Sequence, residues 1–561
     1  MFPSLALLLS YAVTVSAAVH TWPSPKLDAL EAQRWDQDDT INGFSSFVQP
    51  CTFFIHGNDD ESETGRANGP DWIRTAFHDI MATHNSEDGT GGLDASIRFA
   101  EEQSRPENAG TGFQNTLDVF IAFTTRHVSL ADLIAIGLVT AVENCGGPQI
   151  DLRGGRIDAA EPNAPGVPEP QGDLNAHIAS FKKQGFTQTE MIGLVACGHS
   201  FGGVEHKPFP EIVPELNDPN STLSVQHFDT TFDFFDNKVA TEYIAGTSQN
   251  PLLVGANDTT NSDKRIFASD GNKTMASFAD SSELFASTCA SLFARMLDTV
   301  PKDVKLSDVI DPLPVKPSEV QIVLGTNGKL QLSGVVRLFN VTVDDPDRTV
   351  HLLIDSHSGE TTTTTLTLDR FSSAMGGRVQ SPFYAFNQSQ DVNHAGVIEL
   401  DPAQGLEKMR FNINGKVEDQ GGVGFKVEDG VVFSETSCIT TVGAAATEDD
   451  DDDPVPVAGK FDIAVRTGLT PTRVFLEQEI KDSINRTVVK ETDVERPAQP
   501  VPAGDGAYEI WSIQVKDANT YTIGAEINGG KFSTVDTHSL KELTACTPTK
   551  RRVWHKRRTG A

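Results

Sequence analysis

The chain has 561 residues, 45 Lys+Arg against 78 Asp+Glu, and a formal net charge of −33 at pH 7. That length suggests roughly two to four domains, and 38% hydrophobic residues is ordinary globular composition rather than disorder. The acidity argues against nucleic acid or an anionic membrane as main partner, because both would repel the chain. No apolar run of about 18 residues follows the N-terminus, so no membrane span is expected.

The first predicted element is a secretory signal peptide over residues 1–18, apolar from Leu5 to Val15 and ending in Ser16-Ala17-Ala18. It predicts a secreted, extracellular protein. N-x-S/T sequons at Asn220, Asn257, Asn272, Asn340, Asn387 and Asn485 agree with glycosylation in that compartment. So does the even cysteine count of 6. Sequence alone leaves the pairing open. Sequential pairing, Cys51–Cys145, Cys197–Cys289 and Cys438–Cys546, is the working expectation.

Apolar residues recur at three and four positions between about residues 45 and 300, predicting a mostly α domain bounded at 45–312. Its helices are expected over Asp71 to Ala82, Gln114 to Arg126, Ala131 to Glu143, Thr187 to Gly198 and Ser281 to Thr299. After Pro312-Leu313-Pro314 the period falls to two, as in Val320-Ile322-Leu324, with hairpin signals at Asn327-Gly328, Asp429-Gly430 and Asn528-Gly529. Two β-rich, sandwich-like modules are expected, at 315–443 and 460–548. An acidic linker at 444–459, centred on Glu448 to Asp453, separates them, and the basic tail from Lys550 to Arg558 reads as a frayed terminus.

Within the helical half, Trp72, Ile73, Ala76, Phe77 and Ile80 form one apolar stripe, while Arg74 and His78 stand four apart on one helix face. Such a pair can do acid–base and charge-stabilising work, although most Arg/His pairs of this kind are surface features. Asp79, Gly92, Asp94 and Ser96 offer hard oxygens suited to Ca²⁺, or equally a capped glycine turn. Thr187 and Glu190 form a capping box for a helix ending at His199, a histidine that is either a core residue or an axial metal ligand. Ser200, Asp229, Thr231, Phe234 and Asp236 supply further oxygens, and Asp270 is expected to accept the N–H of His199.

The succession Arg74-x-x-Phe77-His78-Asp79, Gly92-x-Asp94-x-Ser96, Glu107-Asn108-Ala109-Gly110, Ala131-Asp132-Leu133, Gly155-Arg156-x-Asp158, Gly198-His199-Ser200-x-Gly202 and Ser269-Asp270 resembles the plant-type haem peroxidase superfamily. It is closest to secreted fungal (class II-like) peroxidases. The resemblance implies one non-covalent haem b, two Ca²⁺ ions, and reduction of hydrogen peroxide through a ferryl intermediate. Small aromatic or phenolic reductants would then be oxidised by one-electron steps. It makes His78, Arg74 and Asn108 catalytic and His199 the axial iron ligand. Asp270 becomes the carboxylate partner of His199, Phe77 a ring over the haem, and Phe228 the proximal ring. Asp79, Gly92, Asp94 and Ser96 become the distal calcium set; Ser200, Asp229, Thr231, Phe234 (by its carbonyl) and Asp236 become the proximal one. Asp132 and Arg156 match the family's buried ion pair, and Cys51–Cys145 one of its bridges.

Some positions depart from that pattern. Leu194 stands where lignin-oxidising members carry a surface Trp. Of three manganese-site positions, Asp71 and Glu205 are acidic and Ala67 is not, which leaves Mn²⁺ as a minor further partner. Two rival readings exist. Gly198-x-Ser200-x-Gly202 also fits the nucleophile elbow of an α/β-hydrolase-like esterase, which requires a buried strand before Ser200. A catalytically inactive secreted protein that binds haem or cell wall is the other, disfavoured by the intact Arg74, His78 and Asn108.

Overall fold

The computed structural model describes residues 20–37, 43–54, 63–81, 84–387, 396–441, 456–516, 520–534, 538–539 and 543–546. The expected signal peptide, the acidic run Glu448 to Asp453 and the basic tail lie outside these residues. Two compact units divide the chain: one takes in 1–34, 45–120 and 131–313, the other 35–44, 121–130 and 314–561.

The first unit is helical. Helix α1 (Asn68–Met81) buries Trp72, Ile73, Ala76 and Ile80, the stripe read from the sequence, and the Trp72 ring meets Phe120 edge-on at 4.7 Å. Phe120 closes α2 (Gly112–Phe120). The helical pattern had suggested a run to Arg126, but Ile121–Phe123 is a 3₁₀ turn. The chain passes there into the second unit, where Phe123 packs on Phe44 at 5.4 Å. Tertiary packing, rather than a breaker residue, ends the helix. Helix α3 (Leu130–Asn144) is buried along its whole length and forms the core of the unit.

Asp132, in the first turn of α3, accepts from the backbone N–H of Gly155 and Arg156 and pairs with the Arg156 guanidinium at 3.1 Å. Arg156 also donates to the Leu297 carbonyl at 2.7 Å. Both side chains are essentially inaccessible to water. Removing one partner strands the other charge, so Asp132→Ala should destabilise the unit by about 3–5 kcal/mol. A denaturant-midpoint shift corresponding to much less than that would place the pair at the periphery.

Three further helices line the site, α4 (Leu174–Lys183), α5 (Gln188–Gly198) and α6 (Ser262–Phe267), and α7 (Lys273–Asp280) packs against α5. Thr187 and Glu190 make both bonds of the expected capping box at the start of α5. Helix α8 (Ser282–Leu297) lies close against α5, and Gly193 is what permits it. A Cβ at Gly193 would come within 2.7 Å of the Leu292 methyl. The Cys197–Cys289 disulfide joins the same two helices, and Cys51–Cys145 anchors the end of α3. The expected pairing is the one present.

The second unit is β-rich. Its largest sheet among the described residues has ten strands: eight follow the path 502–503, 508–515, 456–466, 431–434, 315–324, 330–338, 379–385, 367–374, while 438–441 pairs with 456–466 and 398–400 with 330–338. Strand 431–434 pairs antiparallel with 456–466 (Val432 with Ala464) and parallel with 315–324 (Phe433 with Val323). The two expected modules therefore share one sheet, and the Cys438–Cys546 bridge also links them. Strand Pro456–Arg466 starts inside the stretch assigned to a linker. The reason is burial: Val431, Phe433, Phe461, Ile463 and Trp511 form one core with Leu476, Tyr521 and Ile523 of a five-stranded sheet stacked on the first. Asn528-Gly529 makes the tight hairpin expected of it, both residues at positive φ. Asp429-Gly430 does not: the Asp429 carboxylate is buried, accepting from Leu406 N–H and pairing with Arg466 and His357.

Candidate active site

Residues of α1 and of the segment after it line a cavity of about 570 Å³, which His78, Arg74, Phe77, His199, Leu194 and Phe228 all border. That size suits a ligand of several hundred daltons. His78 Nδ1 lies 2.7 Å from Asn108 Oδ1. The Asn108 amide nitrogen donates to the Glu102 carbonyl at 2.8 Å, which fixes the amide so that its oxygen faces the histidine. Nδ1 therefore carries the proton, and Nε2 keeps a free lone pair. Burial, and secondarily the Arg74 charge, hold the His78 pKa well below the usual imidazole value; Asn108 opposes this. His78 is thus a neutral base across the physiological range.

Arg74 donates to the Ala109 carbonyl at 3.1 Å and lies 4.4 Å over the Phe113 ring. Burial lowers its pKa to about 10, with Asp71 opposing. It stays cationic at neutral pH, held beside a neutral histidine.

Across the cavity, His199 sits at the C-terminal cap of α5. Its ring stacks on Phe228 with centroids 4.0 Å apart and planes 13° apart. The partner of Nδ1 is Asp263, at 2.8 Å, and not Asp270. Asp263 is fully buried at the start of α6, and Asn250 holds the same carboxylate oxygen at 2.7 Å. Asp270 instead accepts from the Lys273 and Thr274 N–H groups and caps α7. The dipeptide Ser-Asp occurs at both places. A telling signal was available: Asp263 is followed at three and four positions by Ile266 and Phe267, so it faces the core, whereas Asp270 precedes the turn Gly271-Asn272. The Asp263 carboxylate accepts the Nδ1–H, polarises the imidazole and leaves Nε2 with a free lone pair. Asp263→Asn should raise the potential of an iron bound there and lower affinity or activity roughly 10–100-fold. Asp270→Asn should leave the potential alone. Spectroelectrochemistry of the two variants separates the assignments.

Leu194, at the position matched to a surface Trp of lignin-oxidising members, is 3% exposed and lines the cavity. The hydrolase elbow fails on structure: residues Gln188–Gly198 are helix, not strand, and the buried Ser200 hydroxyl donates to the Cys197 carbonyl at 2.8 Å rather than to a base. Asp71 and Glu205 are brought together, but around the Arg66 guanidinium, at 2.7 and 3.1 Å. A manganese ion there would have to displace that cation.

The two expected calcium sets differ. In the proximal set, Thr231 Oγ1 donates to Asp236 Oδ2 at 3.0 Å, and the Thr231 N–H to Asp229 Oδ1 at 2.9 Å. Asp229 Oδ2 is buried with no partner. Burial, and also Asp236 and Glu242, push the Asp229 pKa up to about 7. Gly202 bonds to both Phe228 and Phe232 and so ties the Ser200 turn to this loop, where the Phe234 N–H closes onto Thr231. A buried carboxylate oxygen that lacks a donor is what a cation would satisfy. In the distal set, by contrast, Asp79 accepts three backbone N–H bonds from Asp94, Ala95 and Ile97. Asp94 and Ser96 are bonded to Asn163, which no sequence pattern singled out. Gly92 (φ 118°) is pressed against the backbone of Thr299.

A neutral histidine beside an arginine and a second, carboxylate-held histidine, all lining one cavity, form the arrangement that a haem peroxidase domain uses. Residues 59–288 match the family model described as "Peroxidase", and this segment belongs to the plant-type haem peroxidase superfamily. The chain is 39% identical to a "WSC domain-containing protein" of Arthroderma benhamiae, over 59% of this chain and 45% of that protein. It is 34% identical to "L-ascorbate peroxidase 5, peroxisomal" of Arabidopsis thaliana, over 25% of this chain and 49% of that protein. "Manganese peroxidase 2" of Phlebia radiata is 30% identical, over 31% and 43% respectively. The chain spans about half the length of the curated relatives it matches.

Proposed function

We propose that the protein is a secreted haem peroxidase that reduces hydrogen peroxide and oxidises small aromatic or phenolic donors one electron at a time. The observation that carries this reading is that His78, paired with Asn108, and His199, paired with Asp263, line one cavity. The residues present fit a haem b: His199 would ligate the iron through Nε2, in a cavity that Phe77 and Phe228 also line. When bound, haem supplies the electrons that cleave the O–O bond and recovers them from donors.

The chain's own groups manage protons and charge. His78 Nε2 takes a proton from one oxygen of the peroxide and delivers it to the other, which leaves as water. Arg74 stabilises the negative charge that gathers on the departing oxygen, at no reorganisation cost because Ala109 and Phe113 already hold it. With two further protons and two electrons from donors, one peroxide yields two waters. Because Arg66 occupies the space between Asp71 and Glu205, Mn²⁺ is not expected to serve as donor. Adding saturating Mn²⁺ should leave peroxide turnover with a phenol unchanged; a large stimulation would put a manganese site there after all.

Secretion rests on the apolar N-terminus, on three disulfides and on the exposure of all six sequon asparagines. Mass spectrometry of the secreted chain, expected to begin near Val19 and to carry glycans, tests it. For the proximal set we propose one Ca²⁺, held by Ser200, Asp229, Thr231, Asp236 and the Phe234 carbonyl.

A further inference from the structure

Asn163 joins the segment 159–163 to residues 94–105 through its side-chain nitrogen, its backbone N–H and its backbone carbonyl. Its side-chain nitrogen lies 3.0 Å from each carboxylate oxygen of Asp94 and 2.9 Å from the Ser96 hydroxyl. Its N–H donates to the carboxylate of Glu102, and its carbonyl accepts from Arg105. Asp94 is 5% exposed, and Ser96 and Glu102 are fully buried. The neighbouring strand of contacts, Ala159 N–H to the Asp94 carbonyl at 2.7 Å and Arg98 to the Ala159 carbonyl at 2.5 Å, runs the same way.

The amide nitrogen occupies the point shared by the three oxygens that a distal cation would need. Ca²⁺ sits about 2.3–2.6 Å from its ligands. An ion bound to Asp94 and Ser96 at that range would overlap an atom already 2.9–3.0 Å from the same oxygens. The amide cannot simply turn over, because its oxygen would then face both carboxylate oxygens of Asp94, neither of which carries a proton to donate. Asp79 is spent as well, on the three backbone N–H groups that pin the 94–97 turn beside α1. The distal oxygens therefore do not fit the ion that the motif implied.

We propose that the Asn163 side-chain amide takes the place of the distal cation, so that the loop following His78 is held by an internal strut and the chain binds Ca²⁺ at the proximal set alone. The proposal is separable from the proximal reading, since different residues carry each.

The test is a count of tightly held calcium in the full-length holoprotein, after loading with Ca²⁺ and desalting. Wild type is expected to hold one ion per chain, Asp229→Asn none, and Asn163→Ala one more than wild type, because removing the amide opens the oxygens of Asp94 and Ser96. An ion retained by Asp229→Asn, or no gain in Asn163→Ala, overturns the proposal. Should wild type hold none while Asn163→Ala gains one, the proximal reading fails and the strut stands. If Asn163→Ala does not fold, the count in Asp229→Asn decides alone.

Discussion

His78→Ala should slow the reaction with hydrogen peroxide by about 10²–10⁴-fold, the usual worth of a general acid–base group. Nothing beside it can replace the imidazole. Asn108 is fixed with its oxygen toward the ring and its nitrogen on the Glu102 carbonyl, and Arg74 remains protonated at any working pH. Haem should stay bound, because His199 and Asp263 are untouched. The pH profile adds a second signature. Since burial holds the His78 pKa well below 6.5, the wild-type rate should be flat through neutrality and fall only at distinctly acid pH, as the base becomes protonated. That acid limb should vanish in the variant. Rapid mixing with peroxide, followed at the Soret band, reads both effects. A variant that reacts as fast as wild type would remove His78 from the chemistry.

His199→Ala should weaken haem binding by more than the roughly 100-fold that loss of a mere supporting group costs. Phe228, stacked on the ring at 4.0 Å, offers no ligand atom, and Asp263 and Asn250 are already bonded to one another. The cavity would remain, so the variant should still fold and its disulfides still form. Gel filtration should separate haem from the chain, and externally added imidazole should restore part of the binding by filling the vacated place. Retention of haem with an unaltered spectrum would assign the ligand to another residue.

Residues that act within one helical turn were legible. The four-residue spacing of Arg74 and His78, and the Thr187–Glu190 box that starts α5, are local patterns whose geometry follows from the helix itself. Partners brought in from afar were not. Asp263 lies 64 residues from His199, and the choice between two Ser-Asp pairs required weighing which one faced a core. Asn163 meets Asp94 from 69 residues away, in a segment without periodicity. In the second unit, alternation identified the strands, but not that 431–434 and 456–466 would pair. The acidic run between them looked like a boundary, while the apolar stretches on either side were complementary parts of one core.

The claim that this cavity is a peroxidase site is tested most directly by the absorption spectrum of the haem-loaded, full-length protein before and after one equivalent of hydrogen peroxide. A Soret band that shifts at once on peroxide, and returns on adding a small phenol, is the expected result. A chain that takes up no haem, or holds a haem whose spectrum peroxide does not change, would contradict it.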